Sequence, residues 1–257
     1  DTIVINTCAV TNSAVSKSIN EIKKTSKKYP NSQIVVTGCA SQIDTEKFKN
    51  LPNVVKVVEN KFKTEVESYT SDKIISRTKY NFPRFDALNS SRTRATLQIQ
   101  QGCNHRCTFC IIPFGRGDAV SLPVSEINNR IQNVLSQGFK EITLTGIDLT
   151  SYGEDLIGKP KLGNLIKRLL IDNPKLQRLR LSSIDPGEID EELEDLMCYE
   201  KRLLPHFHLS IQSGDNLILK RMKRRHTREQ VITLCEKIKG IRSEVTFGAD
   251  LIVGFPT

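Results

Sequence analysis

A chain of 257 residues with 38% hydrophobic side chains has the material for one large core or two ordinary ones. No run approaches the roughly eighteen apolar residues of a membrane helix, which sets that class aside. Lysine and arginine outnumber aspartate and glutamate by 38 to 29, a formal net charge of +9. That balance favours a polyanionic partner, nucleic acid above all, over a generically basic soluble protein.

The chain opens at Asp1 on an apolar run and stops at Thr257 directly after another, so both ends are expected to be cut from a longer protein. Residues 2–6 read as a short strand. Residues 13–29 read as a helix with Val15, Ile19 and Ile22 on one face and Lys17, Lys23, Lys24, Lys27 and Lys28 elsewhere. Strands follow at 33–37 and 54–58, and the alternation implies a small parallel sheet. Residues 71–94 have little periodicity and read as linker. A second series begins at 95, with strands expected at 95–100, 141–146, 177–183, 206–212 and 246–253. Helices are expected between them at 124–137, 161–171, 188–199 and 227–239. Five βα-type units in a row fit a parallel barrel, open or closed, with its site at the carboxyl ends of the strands. The fold class expected is therefore α/β.

Seven cysteines make an odd count, and Cys103, Cys107 and Cys110 crowd into eight residues. This argues against disulfides and for metal in a reducing cytoplasm. Three thiolates at x3 and x2 spacing can hold three irons of a cubane cluster, and no fourth cysteine follows nearby. The fourth iron would then keep an open position, as catalytic metals do. Zinc is the competing reading. It needs a fourth ligand, and His105, lying between two of the cysteines, is expected to have difficulty reaching the same metal. Phe109 would give the cluster an apolar cover. Cys198 and Cys235 fall in apolar helical stripes and are assigned to the core.

The triple-cysteine loop, with an aromatic residue before its last cysteine, resembles the signature of the radical SAM superfamily. That resemblance implies a partial (β/α)6 barrel. It also implies a [4Fe–4S] cluster on Cys103, Cys107 and Cys110, and S-adenosylmethionine chelated by the open iron and cleaved to a 5′-deoxyadenosyl radical. Ile5-Asn6-Thr7-Cys8-Ala9-Val10-Thr11-Asn12 and Thr37-Gly38-Cys39-Ala40-Ser41-Gln42 resemble the amino-terminal domain of methylthiotransferases. In that family three cysteines hold a second [4Fe–4S] cluster. Cys8 and Cys39 match the second and third, and the first would lie upstream of Asp1. Each follows a strand directly, so both thiols are expected at one edge of a parallel sheet. Two ordinary buried cysteines would be the alternative.

Further motifs carry the resemblance through the second domain. They are Gln101-Gly102-Cys103-Asn104, Cys107-Thr108-Phe109-Cys110-Ile111-Ile112-Pro113 and His208-Leu209-Ser210-Ile211-Gln212-Ser213-Gly214. Leu144-Thr145-Gly146-Ile147-Asp148-Leu149-Thr150-Ser151-Tyr152-Gly153 and Leu179-Arg180-Leu181-Ser182-Ser183-Ile184-Asp185-Pro186 resemble the tRNA threonylcarbamoyladenosine methylthiotransferases in particular. Asp118-Ala119-Val120-Ser121 departs from the family's usual Ser-Arg-Ser run. By resemblance Gly146, Ser182, Ser183 and Gln212 line the S-adenosylmethionine pocket. Arg224 aligns with a family arginine suited to the cofactor carboxylate. It lies in the densest basic run, Lys220, Arg221, Lys223, Arg224, Arg225 and His226, which is otherwise expected to be solvated or to meet RNA phosphates.

The domains expected are a methylthiotransferase amino-terminal domain over 1–75, a linker over 76–94 and a radical SAM core over 95–257. The implied reaction is methylthiolation of N6-threonylcarbamoyladenosine beside the tRNA anticodon. An unactivated aromatic C–H is the physical reason for a radical cofactor. The implied partners are tRNA, an electron donor such as flavodoxin or ferredoxin, and a sulfur donor, with no membrane. Isopentenyladenosine or a ribosomal protein aspartate is the alternative substrate, and a non-catalytic iron–sulfur RNA-binding module is the alternative of another class.

Overall fold

The structure, a computed structural model, describes residues 1–70, 80–83 and 93–256. Of the expected linker, residues 76–79 and 84–92 lie outside the described residues. Two compact units emerge, Asp1–Pro83 with Cys110–Asp118, and Arg84–Phe109 with Ala119–Thr257.

The amino-terminal unit contains β1 (Thr2–Thr7), α1 (Asn12–Lys28), β2 (Gln33–Gly38), α2 (Cys39–Ile43), α3 (Thr45–Lys49), β3 (Val54–Val58), α4 (Glu67–Thr70) and α5 (Ile112–Arg116). Its sheet has the order β1-β2-β3 and is parallel throughout. Thr11 caps α1 by accepting from the Ala14 N–H, and Lys27 and Lys28 in the last turn suit the negative end of the helix dipole. Ile22 is fully buried with Ile34, Val36, Ala40 and Phe48, and Val15 and Ile19 pack against that cluster. The α1 lysines lie on the exposed remainder of the helix. The five-residue helices α2, α3 and α5 were not expected, because so short a helix shows no readable period.

The second unit contains β4 (Ala95–Gln98), β5 (Gln100–Gln101), β6 (Val120–Ser121), α6 (Val124–Ser136), β7 (Glu141–Thr145), α7 (Leu162–Asp172), β8 (Arg178–Leu181), α8 (Glu191–Tyr199), β9 (His206–Gln212), α9 (Asn216–Arg221), α10 (Arg228–Ile241) and β10 (Thr246–Leu251). Strands β4-β7-β8 form one parallel sheet and β9-β10 another. Parallel bridges Leu179↔Leu203 and Ile184↔Leu209 continue the first toward the second, giving the partial barrel. The expected strand 95–100 is broken at Ile99, and its end, β5, pairs antiparallel with β6.

Strands of a parallel sheet covered on both faces read as continuous apolar runs. Here they alternate. Leu97, Ile142, Leu144, Leu179, Leu181, Phe207 and Leu209 are buried. Between them Thr96, Gln98, Thr143, Thr145, Arg180, Ser182, His208 and Ser210 stay at least partly exposed. One face of the barrel sheet is thus polar and suited to a polar ligand. Helices α6, α7, α8 and α10 carry the buried stripes Ile127 and Ile131, Leu165 and Leu169, Leu193 and Met197, and Val231 and Ile238. Cys198 is buried in α8, and Cys235 is partly buried in α10.

Candidate functional site

In the amino-terminal unit the register pairs Thr7 with Gly38, so Cys8 and Cys39 each follow the last paired residue of adjacent parallel strands. They leave the same sheet edge, where ligands of such sheets bind. Cys8 is exposed and Cys39 buried. Gly38 turns the chain here with φ +108°, and a Cβ on it would come within 2.4 Å of the Thr7 backbone. Thr7 Oγ1 donates to the Thr37 carbonyl at 2.8 Å and accepts from the Ser41 N–H at 3.1 Å, which locks the two strand ends together. The helix α5, which follows Cys110 in the chain, packs on α2. A Cβ on Gly115 would lie 2.9 Å from the Cys39 Cβ, and Asn60 Nδ2 donates to the Gly115 carbonyl at 2.5 Å.

In the barrel unit the cysteine loop leaves β5 through Gly102, whose φ of +73° turns the chain toward Cys103. Gln100, fully buried, fastens this turn. Its Nε2 donates to the Gly102 carbonyl at 2.9 Å, and its Oε1 accepts from the Asp148 N–H at 2.8 Å. A Cβ on Gly146 would meet the Gln100 side chain at 2.9 Å, so this glycine makes room for Gln100. The sequence reading missed Gln100, Asp148 and Glu188. Gln100 and Asp148 had only their position at or just beyond the ends of expected strands as a signal, and Glu188 only its place at the start of an expected helix.

The Cys103 thiol donates to Asp148 Oδ2 at 3.3 Å. Burial, then the Asp148 carboxylate, pushes this thiol up to about 12, so it stays protonated until a cation displaces the proton. Asp148 is held below the usual carboxylate range. Burial opposes its ionisation, but hydrogen bonds from His105, Ser151 and Cys103 outweigh it. His105 Nε2 lies 3.0 Å from Asp148 and 2.8 Å from Glu188, and these contacts push the imidazole up to about 10. His105 was expected to have difficulty reaching the metal of the loop cysteines. Its ring nitrogen, Cys103 Sγ and an Asp148 oxygen all lie within 4.8 Å of one another. Both carboxylates hold the ring and favour its charged form. His105 is therefore a clamp on the loop.

Cys107 Sγ lies 3.7 Å from Arg224 Nη1, and Thr108 Oγ1 donates to the Arg221 carbonyl at 2.9 Å. The basic run divides. Lys220, Arg221 and Lys223 are exposed, whereas Arg224, Arg225 and His226 turn inward toward Asp185. Apart from Arg224, the run was expected to be solvated or to meet RNA phosphates; buried Asp185 and partly buried Glu188 instead draw Arg225 and His226 as well. Phe109 is 39% exposed, and Ala119 in the departing segment is buried, its N–H donating to Asn104 Oδ1 at 3.0 Å.

Cys103 and Cys107 of the barrel unit are each partly buried, as is Cys110 in the other unit. Ser182 Oγ and Arg224 Nε are buried with no hydrogen-bond partner among the described residues, as polar atoms provided for a ligand would be. Ser183 Oγ meets His208 Nδ1 at 2.9 Å. Gln212 ends β9 with φ +70°, a conformation disfavoured for a side chain and typical of functional sites. A polar barrel face, a cysteine loop after a barrel strand and unpaired polar atoms on Ser182 and Arg224 define the candidate site of a barrel protein.

Comparison with known proteins agrees. Residues 97–257 match the radical SAM superfamily, and residues 1–59 match a family described as uncharacterized protein family UPF0004. The chain belongs to the radical SAM superfamily, and membership implies S-adenosylmethionine and a [4Fe–4S] cluster as cofactors. It is 46% identical to a threonylcarbamoyladenosine tRNA methylthiotransferase of Rickettsia prowazekii (strain Madrid E), over 99% of this chain and 62% of the relative. A tRNA-2-methylthio-N(6)-dimethylallyladenosine synthase of Carboxydothermus hydrogenoformans is 34% identical over 100% of this chain and 61% of that one. The chain thus spans about three-fifths of the length of these curated relatives. Among solved structures, the radical S-adenosylmethionine methyltransferase TsrM from Kitasatospora setae superposes with TM-score 0.69 at 12% identity, over 99% of this chain and 58% of that one. The radical enzyme OxsB gives 0.64 at 13%, over 98% and 41%. Both agree with the partial-barrel fold. No helix among the described residues is long and apolar enough to cross a membrane.

Proposed function

We propose that this protein is a radical SAM enzyme that transfers a methylthio group to C2 of N6-threonylcarbamoyladenosine in tRNA. Its two domains would be 1–75 and 95–257, joined by 76–94. The observation that carries the reading is in the amino-terminal unit, where Cys8 and Cys39 leave one sheet edge on neighbouring strands. A radical enzyme that only abstracts hydrogen has no use for such a pair; one that delivers sulfur needs a place to hold it. On this reading Cys8 and Cys39 are ligands of an auxiliary [4Fe–4S] cluster, and Cys103, Cys107 and Cys110 hold the radical-generating one.

Bound there, that cluster and S-adenosylmethionine supply the one-electron chemistry that an unactivated aromatic C–H requires. The chain's own residues bind and orient. Arg224 offers its unpaired Nε to the cofactor carboxylate while Asp185 and the Ser210 carbonyl both hold its Nη2, at 2.8 and 2.6 Å. Ser182 and Ser183 take ribose or carboxylate oxygens, Gly146 and Gln212 wall the pocket, and Phe109 excludes water from the cluster. Transfer RNA is the partner, with a low-potential electron donor such as flavodoxin or ferredoxin and a sulfur donor, all in the cytoplasm. The substrate assignment is supported by the 46% identity to a threonylcarbamoyladenosine tRNA methylthiotransferase.

The test is anaerobic reconstitution with iron and sulfide, then S-adenosylmethionine, a strong reductant and tRNA bearing either modified adenosine. The expected result is 5′-deoxyadenosine release and a methylthio product on the threonylcarbamoyl substrate. Product on dimethylallyladenosine alone would reassign the substrate, and absence of 5′-deoxyadenosine would leave a non-catalytic iron–sulfur RNA-binding module.

A further inference from the structure

A closed ring of charged side chains in the barrel unit joins two of the loop cysteines. It starts where Cys103 Sγ meets Asp148 Oδ2 at 3.3 Å. Asp148 Oδ2 is 3.0 Å from His105 Nε2, which is 2.8 Å from Glu188 Oε1. Glu188 Oε1 is 3.1 Å from Arg225 Nε, and Arg225 Nη2 is 2.5 Å from Asp185 Oδ2. Asp185 Oδ2 is 2.8 Å from Arg224 Nη2, and Arg224 Nη1 stands 3.7 Å from Cys107 Sγ. The short stretch from Cys103 to Cys107 closes the circuit.

The members come from separate segments: the cysteine loop, the loop after β7, the turn after β8 and the turn after α9. Three carboxylates face two guanidiniums and the imidazole. Its charged side chains are at most 29% exposed. Residues 104–106 themselves have no regular structure. Ordering such a stretch costs about 1–2 kcal/mol of backbone entropy per residue. Something outside the loop has to hold it. Asn104 Oδ1 accepts the Ala119 N–H at 3.0 Å, and His105 is the side chain that two carboxylates from other segments grip.

We propose that Glu188, braced by Arg225, is a positioning residue for the cluster loop. It clamps His105 against Asp148 and so fixes the Cys103–Cys107 stretch in the shape that receives the cluster, although it touches no cysteine itself. Glu188 is well placed for this. It ends the short turn Pro186–Glu188, which Asp185 caps by accepting the Gly187 N–H at 3.0 Å. A Cβ on Gly187 would stand 3.1 Å from the Arg225 backbone, so turn and brace are in close contact. Ser151 Oγ, 2.8 Å from Asp148 and 3.2 Å from Glu188, links the two carboxylates from the third side. The inference rests on the cysteine loop holding a cluster and is indifferent to the RNA substrate.

The test compares the anaerobically reconstituted protein with Glu188→Gln, His105→Ala, the double variant and Glu192→Gln. The last removes the same charge from a partner of Lys167 well outside the ring. Iron and sulfide per chain are measured, then the rate at which visible cluster absorbance is lost to a chelator. Glu188→Gln and His105→Ala should each speed that loss about 10-fold, the size expected for outer-shell partners of a metal site. Because both act through one clamp, the double variant should be no faster than either single variant. Glu192→Gln should match wild type. A Glu188→Gln rate within about two-fold of wild type would overturn the inference, as would single-variant effects that multiply in the double. Wild-type protein that takes up no cluster would instead overturn the assignment of the cysteine loop, and this inference with it.

Discussion

Asp185 is the most heavily used carboxylate of the barrel unit, and its removal tests the energetics directly. It is 5% exposed, pairs with Arg224 at 2.8 Å and Arg225 at 2.5 Å, and accepts from the Gly187 N–H. In Asp185→Ala the Arg224 guanidinium, whose side chain is only 6% exposed, loses its sole carboxylate among the described ion pairs. Arg225 keeps Glu188. An uncompensated buried charge costs about 3–5 kcal/mol. For a unit of this size each kcal/mol moves the melting temperature by roughly 2–4 °C, so the variant should melt on the order of 10 °C lower. Asp185→Asn keeps an acceptor for Gly187 but not the charge, and most of the loss should persist. Burial opposes ionisation of Asp185, yet His226, Arg224, the Gly187 N–H and Arg225 outweigh it, and its carboxyl sits below the usual range. A folded pKa below the unfolded one means stability that is present above about pH 4 and lost as pH falls through the depressed value. The acid limb of the stability curve should therefore flatten in Asp185→Asn. Thermal denaturation at pH 7 and at stepwise lower pH reads both effects. A loss below about 1 kcal/mol, the range of an exposed ion pair, would refute the reasoning.

Three further outcomes are expected. Cys107→Ala should abolish cluster loading at the loop and S-adenosylmethionine cleavage with circular dichroism unchanged, because the residue is a partly exposed loop thiol outside the barrel core; wild-type cleavage would sink the ligand assignment. Gly38→Ala should destabilise the amino-terminal unit by about 3 kcal/mol or more, since φ is +108° and the added Cβ would collide with Thr7 backbone atoms; urea denaturation within about 1 kcal/mol of wild type would contradict the close approach. Affinity for tRNA, measured by filter binding across a salt series, should fall by roughly one log unit per log unit of salt for each phosphate contact; a flat series would mean that the +9 charge plays no part in binding.

Much of this protein was determined by local sequence. The helix α1 announces itself by Val15, Ile19 and Ile22 at helical spacing between Thr11 and Pro30, and β3 by an apolar run with the bounds it has in the structure. The strand ends follow from the same periodicities, and with them the edge position of Cys8 and Cys39. Three cysteines in eight residues marked the loop after β5 as the candidate site. The tertiary structure alone decided which charges pair. Nothing near Arg225 in the chain marks Asp185 and Glu188 as its partners, and nothing near Cys103 marks Asp148. These residues meet because parallel βα connections bring the loops after β5, β7 and β8 and the turn after α9 together, across separations of 37 to 45 residues. Periodicity reports which face of an element is apolar. It carries no information about which loop a buried carboxylate will face, and there burial and charge neutrality, evaluated over the whole fold, make the choice.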